Sequence, residues 1–577
     1  MIDIALLLVI ILALAGLVRL WPRVTTHPRW SLVGLGLVLL VGLTHQVLFR
    51  SIAEDGFITF RYSLNLALGN GPVFNLGERV EGYSDFLWMV LLAVLHALAG
   101  VPIPTTARIL GGAAALATIA LTYRMSLDLN EGDRRTSLLA ALFVASSGSF
   151  VAHGTGGMET TFFALLVMLT LLSSLRGAGL LAGLLAALAT MTRPEGVLLL
   201  VPVLLWGWRG LPTSLPDHLR SASPRLLPFA ALVLPWTLWR VWYYGPLIPN
   251  AVYAKGGMSV VQQAHLGALN FSEFALANAH VLILFIIIAI ALTLRNVHVP
   301  AATWLLVSWV ALHTAFVVVV GGDWMPAWRY LAPIIPVVCV ALFNLWTTNT
   351  RNVRLNISLP RHALILFAFS GLLVLESFFH PRMIPQTRLL ALQVAQFSEM
   401  GRWFHQTLPA GTLIAVYANG SLSYHAGVEL PVIDLMGLTD EHIAREGDRS
   451  FKRAPWFGAR DYDYVLSRRP AVIVFGGGGF AAPSCTVPQT FRPVYAGASF
   501  RFIDAASTRN PYAGDPPHQH ANLLLLETEQ EQVSQMLRRS PEVEPAACPQ
   551  DAPPITPHFP FPPPPMPEPE AEPGYAP

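Results

Sequence analysis

Long apolar runs separated by short polar linkers divide the chain, and this alternation admits few folds. The runs lie near 2–20, 31–49, 84–100, 105–125, 136–152, 159–175, 177–191, 193–209, 225–243, 276–294, 300–320, 329–347 and 361–379. A helix needs about 20 mostly apolar residues to cross a bilayer, so 177–191 is marginal. Backbone facing lipid must satisfy its own hydrogen bonds, which favours helices throughout. Only 12% of residues are charged and 53% are hydrophobic, against roughly a quarter charged in soluble domains. The pattern predicts a polytopic α-helical membrane protein. The net charge of +2 offers no basic footprint for nucleic acid. Residues 2–20 carry no basic start, Asp3 being the first charge, and no small-residue cleavage site follows, so they read as a retained span rather than a signal peptide.

Arginines in the short linkers set the expected orientation. Arg23 and Arg29 lie in one linker, and Arg124, Arg134 and Arg135 in a second. Arg209, Arg220 and Arg225 occupy a third, and Arg351, Arg354 and Arg361 a fourth. With these four in the cytoplasm, the loop after Phe49 and everything after 380 face outward. That parity requires one run not to cross. The run 84–100 contains His96, continues a charged loop and ends in Val-Pro-Ile-Pro, so it reads as an interfacial helix. About twelve spans remain, with both termini outside.

After Phe379 the composition becomes mixed. Strand-like runs at Thr412–Ala418 and Tyr464–Phe475 and a helix over Leu389–Gln406 predict a compact extracytoplasmic α/β domain over 381–540. About two in five residues are proline from Pro541 onward, which predicts an extended, disordered tail over 541–577. Residues 1–380 form the membrane domain. Cys339, Cys485 and Cys548 show neither a disulfide framework nor metal-ligand spacing.

The scarce charges concentrate in SIAEDGFITFRYSLNLALGNGPVFNLGERVEGYSDFLW, residues 51–88. Ionisable groups held against a membrane are costly and usually meet water or a polar substrate. Glu54 and Asp55 could supply a carboxylate base; alternatively they balance Arg50 or Arg61. Phe57, Arg61, Asn65 and Leu68 recur at helical spacing, as do Ile58, Tyr62 and Leu66, which predicts a short amphipathic helix with Arg61 and Asn65 on its polar side. Arg61 could bind phosphate, clamp Asp55 or face headgroups. Glu81 and Tyr83 either shape a sugar pocket or belong to a solvated turn.

Further polar clusters interrupt later apolar runs. His153 and Glu159 lie in HGTGGMET, where Glu159 either caps a helix or serves a site. Arg193 and Glu195 lie in TRPEG and pair with each other or with a substrate. Asn250, Tyr253 and Lys255 lie in PNAVYAK, where an aromatic ring suits a sugar and the lysine suits a phosphate, or both anchor at the interface. Asp323, Trp324 and Arg329 lie in GGDWMPAWR; Asp323 and Arg329 form an ion pair, or the arginine grips phosphate. With the orientation above, every cluster falls on the outer side, as one site built from several loops requires.

These motifs together resemble the GT-C superfamily of membrane glycosyltransferases, most closely the terminal arabinofuranosyltransferase branch. EDGFITFRYSLNLALGNGPVFNLGERVEGYSDFLW carries most of the likeness. HGTGGMET, TRPEG, the PN..YAK block and GGDWM…R extend it over most of 45–340, and VIDLMGLTDEHIAR at 432–445 into the C-terminal domain. The resemblance implies a polyprenyl-phosphate sugar donor, an envelope glycan or glycolipid acceptor, and a multi-pass protein of the bacterial inner membrane with its site outside. It implies Asp55 as the base with Glu54 beside it, and Arg61, Lys255 and Arg329 against the donor phosphate. Some members use a divalent metal, Mg or Mn, for which Glu54, Asp55 and Glu159 are the candidate ligands; the sequence itself calls for none. The rival readings are a flippase for lipid-linked glycan, which should place polar groups near mid-membrane, and a non-catalytic envelope scaffold.

Overall fold

The computed structural model describes residues 2–24, 27–50, 52–209, 214–278, 298–350, 359–452, 454–475, 483–492, 494–502, 520–541, 543–549 and 552. The chain divides into two compact units. The first comprises Met1–Pro72, Tyr83–Leu247 and Ser259–Gln393. The second comprises Val394–Pro577 together with two segments from between the apolar helices, Val73–Gly82 and Ile248–Met258. The division therefore differs from a single cut near 380. Helix Ile384–Thr407 runs unbroken from one unit into the other, and no linker composition marks the boundary.

The first unit is a helical bundle. Among the described residues, four helices are long and apolar enough to cross a membrane: Ile2–Val24, Pro28–Phe49, Ile103–Leu129 and Ala301–Val319. A fifth candidate is the pair Arg134–Ser146 and Gly148–Gly154, bent by 63°. Several expected runs form shorter helices, including Thr160–Leu175 and Gly179–Thr192, and run 276–294 lies largely outside the described residues. Phe86–Ala99 has 14 residues. It is therefore about 21 Å long, shorter than the hydrocarbon core of about 30 Å. On the first helix Ile4, Leu8, Ile11 and Leu12 are exposed while Ile10, Ala13 and Leu17 are buried, so one apolar stripe packs and another is left for lipid.

Buried hydroxyls in these helices are satisfied locally. Thr118, Thr122 and Thr170 each donate to the carbonyl four residues back at 2.7–2.8 Å. His45 joins three helices through the Ala145 carbonyl (3.2 Å) and the Ser377 hydroxyl (3.0 Å). A carbon at Gly196 would fall 2.4 Å from the Ala189 carbonyl carbon, so the glycine of TRPEG is required for backbone approach.

The second unit is built on a mixed sheet ordered β2-β1-β3-β5-β4-β6. Strands β1 (Ile414–Val416), β2 (Val432–Asp434) and β3 (Val472–Val474) are parallel and wholly buried, and all but Asp434 of their residues are apolar. Strands β4 (Tyr495–Phe502), β5 (His520–Leu526) and β6 (Val543–Pro545) are antiparallel. Trp403 fixes the long helix to this sheet, donating to the Leu537 carbonyl at 2.9 Å and packing edge-on against Phe500 and Phe502.

Three expectations change. The run Tyr464–Phe475 is not one strand. Residues 462–468 are helical because the Asp461 side chain accepts the Tyr464 amide at 2.9 Å and caps a helix there; only 472–474 form β3. Extended, disordered structure does not begin at 541, since Val543–Pro545 pairs with β4; residues 553–577 lie outside the described residues. Cys485 and Cys548 form a disulfide with Cα atoms 5.6 Å apart, although 63 residues separate them. The β4–β6 pairing brings them together, and linear spacing could not reveal it. A loop of this length is stabilised by roughly 4 kcal/mol when cross-linked. Cys485→Ser should therefore lower the thermal stability of the full chain in detergent, and reductant should lower the wild type to the same level without affecting the variant.

Candidate active site

Asp55 stands where the helix Pro28–Phe49 gives way to a short turn. Arg50 ends the helix in a left-handed conformation (φ 45°), and the Ala53 amide donates to the Gly156 carbonyl at 2.9 Å. The Glu54 and Asp55 carbonyls accept the Phe57 and Ile58 amides in the first turn of helix Gly56–Ala67. The Asp55 carboxylate makes no capping bond and remains 27% exposed, which leaves it available to a ligand.

Arg329 is the cation beside it, with Nη1 3.9 Å from the carboxylate. Its guanidinium is locked. Nε and Nη2 donate to the two Asp323 oxygens at 2.8 and 3.3 Å, Nη1 meets the Met158 sulfur at 3.2 Å, and the group lies over the Tyr330 ring. Burial by itself would lower the guanidinium pKa, but Asp323, Tyr330 and Asp55 outweigh it, and the charge is held firmly. Ala327 and Trp328 carry positive φ angles (56° and 49°), a strained turn of the kind that collects at functional sites. Asp323 is fixed in turn: Asn270 and Arg382 both donate to its carbonyl at 3.0 Å. Gly322, with φ +79°, lets Asn270 approach, since an added carbon would fall 2.6 Å from its Cβ.

A second charge cluster adjoins the first through Tyr330. Arg193 donates to Glu195 at 2.6 Å, lies 3.4 Å from Glu159, and covers the Phe163 and Tyr330 rings. Glu159 opens helix Thr160–Leu175 but makes no capping bond. Its carboxylate is committed to Arg193, so capping does not explain it.

Asp85 belongs to this group and was not among the expected site residues. It is buried, and both oxygens accept the Thr59 hydroxyl at 3.0 Å. Burial pushes its pKa up to about 8, with the Glu159 charge adding to the rise and the Thr59 bond opposing it. The sequence signal was a carboxylate directly before an apolar run. Asp85 thus holds a proton when folded that the unfolded chain releases near the ordinary aspartate value of 3.8. Its stabilising share is complete below that value and is lost as pH rises through about 8, by at most about 1.4 kcal/mol per pH unit. Asp85→Asn should flatten the fall in melting temperature between pH 5 and 8; identical profiles for variant and wild type would exclude this assignment.

The other expected site residues fall into separate places. Arg61 and Asn65 are fully buried, which rules out a water-facing or headgroup-facing polar side for their helix. Tyr62 packs edge-on against Tyr83, whose hydroxyl meets that of Tyr244 at 3.0 Å. His153 is buried and bonded to the Ala327 carbonyl at 3.1 Å, so it supports the strained turn. Trp324 adjoins Asp323 and lends its carbonyl to Arg382. Glu81, Asn250, Tyr253 and Lys255 lie in the second unit. Glu81 is buried, against a solvated turn. The Asn250 side-chain amide donates to three backbone carbonyls, those of Gly437, Leu438 and Asp440. Among the described residues no three His, Cys, Asp or Glu side chains form a group that could hold a metal ion.

An apolar groove of about 440 Å³ opens beside helix Gly56–Ala67. Leu66, Phe86, Met89, Val90, Ala93 and Trp239 line it.

Residues 387–518 match a family described as a domain of unknown function (DUF8728). Two curated proteins match over short stretches. Each is a terminal beta-(1->2)-arabinofuranosyltransferase. The one from Mycobacterium tuberculosis is 56% identical over 45 residues, 8% of this chain and 7% of that protein. The one from Corynebacterium glutamicum is 57% identical over 37 residues, 6% of this chain and 5% of that protein. Among solved structures, ArnT from Cupriavidus metallidurans in the apo state aligns with a TM-score of 0.54 at 12% identity, over 86% of this chain and 98% of that one. The same protein bound to undecaprenyl phosphate aligns with a TM-score of 0.52 at 13% identity and the same coverage. At such identities the likeness is one of fold alone, and the architecture of this chain is similar to that of ArnT.

Proposed function

We propose that the chain is a membrane glycosyltransferase that moves a sugar from a polyprenyl-phosphate donor to an envelope glycan or glycolipid. The observation that carries this reading is Asp55, a part-exposed carboxylate beside a guanidinium that is itself locked in place. Asp55 takes the proton of the acceptor hydroxyl. The freed oxygen attacks the anomeric carbon, and the bond from that carbon to the phosphate oxygen breaks with its electron pair leaving on the phosphate. Arg329 neutralises the phosphate as it departs. The groove lined by Leu66, Phe86 and Trp239 suits the first prenyl units of the carrier. Arabinofuranose is the favoured sugar, on the strength of the two short curated matches. The site faces away from the cytoplasm of a bacterial inner-membrane protein with about twelve crossings. The outward arginine-poor loops support that orientation, as does a disulfide, which persists in oxidising compartments.

The test is the full chain in nanodiscs with a panel of polyprenyl-phosphoryl sugars, the arabinofuranosyl donor among them, reading release of polyprenyl phosphate. Release with one donor is expected. A folded protein that releases nothing from any of them would refute the proposal.

A further inference from the structure

Within the first unit, the turn before Asp55, the loop 153–158, the entry to the strained turn at 327–328 and the first turns of helix Ile384–Thr407 enclose a recess of about 30 Å³. A space of roughly 10–15 Å³ holds one water-sized group, so the recess takes about two. Its walls are mostly apolar, with Ala53, Met158, Pro326 and Leu390 among them. Thr387 and His153 bring the polar side chains. The Thr387 hydroxyl is engaged, donating to the Met383 and Ile384 carbonyls at 2.9 and 3.0 Å.

His153 is only half engaged. The residue is 8% exposed, and its Nε2 meets the Ala327 carbonyl at 3.1 Å. A carbonyl can only accept, so Nε2 carries the hydrogen, and in the neutral ring Nδ1 is a bare lone pair. Nδ1 has no hydrogen-bond partner among the described residues. Unlike Nδ1 of His313, it is not sealed off from every neighbouring space, and the recess is the space that His153 lines. Met158 connects this recess to the reacting groups. It forms part of the wall, and its sulfur meets Arg329 Nη1 at 3.2 Å, the nitrogen that stands 3.9 Å from the Asp55 carboxylate.

We infer that this recess receives the exocyclic hydroxymethyl group of the transferred sugar, whose O–H donates to His153 Nδ1. A carbon and an oxygen fill two water-sized positions. The methylene meets the apolar wall and the hydroxyl meets the open acceptor. A methyl group there would leave the buried lone pair unsatisfied, and a carboxylate would bring a charge with no proton to give. The inference rests on the transfer reading above. It narrows the substrates to sugars with a free primary hydroxyl, such as pentofuranoses and hexopyranoses, against 6-deoxy sugars, uronic acids and pentopyranoses.

Donors that differ only at this group test it on the full chain in nanodiscs. The polyprenyl-phosphoryl sugar that the wild type turns over is compared with analogues carrying CH2F or CH3 in place of CH2OH. Fluorine donates no hydrogen bond, so kcat/KM should fall about tenfold or more for both analogues. His153→Phe keeps a ring and removes the lone pair. Its lost bond to Ala327 lowers all three donors alike, so the ratio between donors isolates Nδ1, and the three should react within about threefold of one another. Equal kcat/KM for the three donors in the wild type would overturn the inference. So would undiminished discrimination in His153→Phe, or turnover only of a sugar that has no hydroxymethyl group. If His153→Phe fails to fold, the wild-type series decides. If the wild type turns over no donor, the transfer reading fails, and binding of the three methyl arabinofuranosides, read by saturation-transfer NMR, decides the recess separately. Saturation of the hydroxymethyl protons well above that of the CH3 analogue, lost in His153→Phe, would sustain it; equal saturation or none would refute it.

Discussion

Asp55→Asn should lower turnover by about 10²- to 10⁴-fold, the usual contribution of a positioned general base, while donor KM stays within a few-fold. Asparagine keeps the shape of the side chain and cannot accept the acceptor's proton as a base. Asp55 makes no capping bond to helix Gly56–Ala67, so its replacement removes no helix cap. Folding should therefore survive, and the melting temperature should stay close to that of the wild type. The neighbouring change Glu54→Gln should cost less than about tenfold. If the two effects came out reversed, the base would be Glu54; if neither reduced turnover, proton transfer would not run through this pair.

Arg329→Ala should damage stability and activity together. Arg329 and Asp323 are both buried and bonded through two nitrogens and two oxygens. Removing the arginine strands the Asp323 charge, at a cost of about 3–5 kcal/mol. The same change removes the cation beside Asp55. The double change Arg329→Ala with Asp323→Ala separates these effects. It leaves no unpaired charge from this pair and should recover part of the lost melting temperature, yet turnover should remain as low as in the single variant. Recovery of turnover along with stability would reduce Arg329 to a structural role.

The sequence displayed most of the helices and nearly all the motif residues. Helix Gly56–Ala67 was visible in the spacing of Phe57, Arg61 and Asn65, and the Arg193–Glu195 pair in a motif that interrupts an apolar run. It misjudged faces. Arg61 and Asn65 looked like a polar side and are buried, because a helix surrounded by other helices has no water-facing side to display. It overlooked Asp85, whose carboxylate resembles an ordinary helix start until Thr59 and Glu159 are placed beside it.

Periodicity and turn chemistry act over one or two turns of chain, so residue order alone settled the helical membrane class, the strand at Ile414–Val416 and the clustering of scarce charges near Asp55. Which groups answer one another is a matter of packing between distant segments. Arg329 stands beside Asp55, Cys548 reaches Cys485 across β4 and β6, and Asn75 and Asn250 bond through their amides to the β2 edge and the turn after it. These pairings depend on three-dimensional distance, because hydrogen bonds and ion pairs act over a few ångströms whatever the separation in sequence.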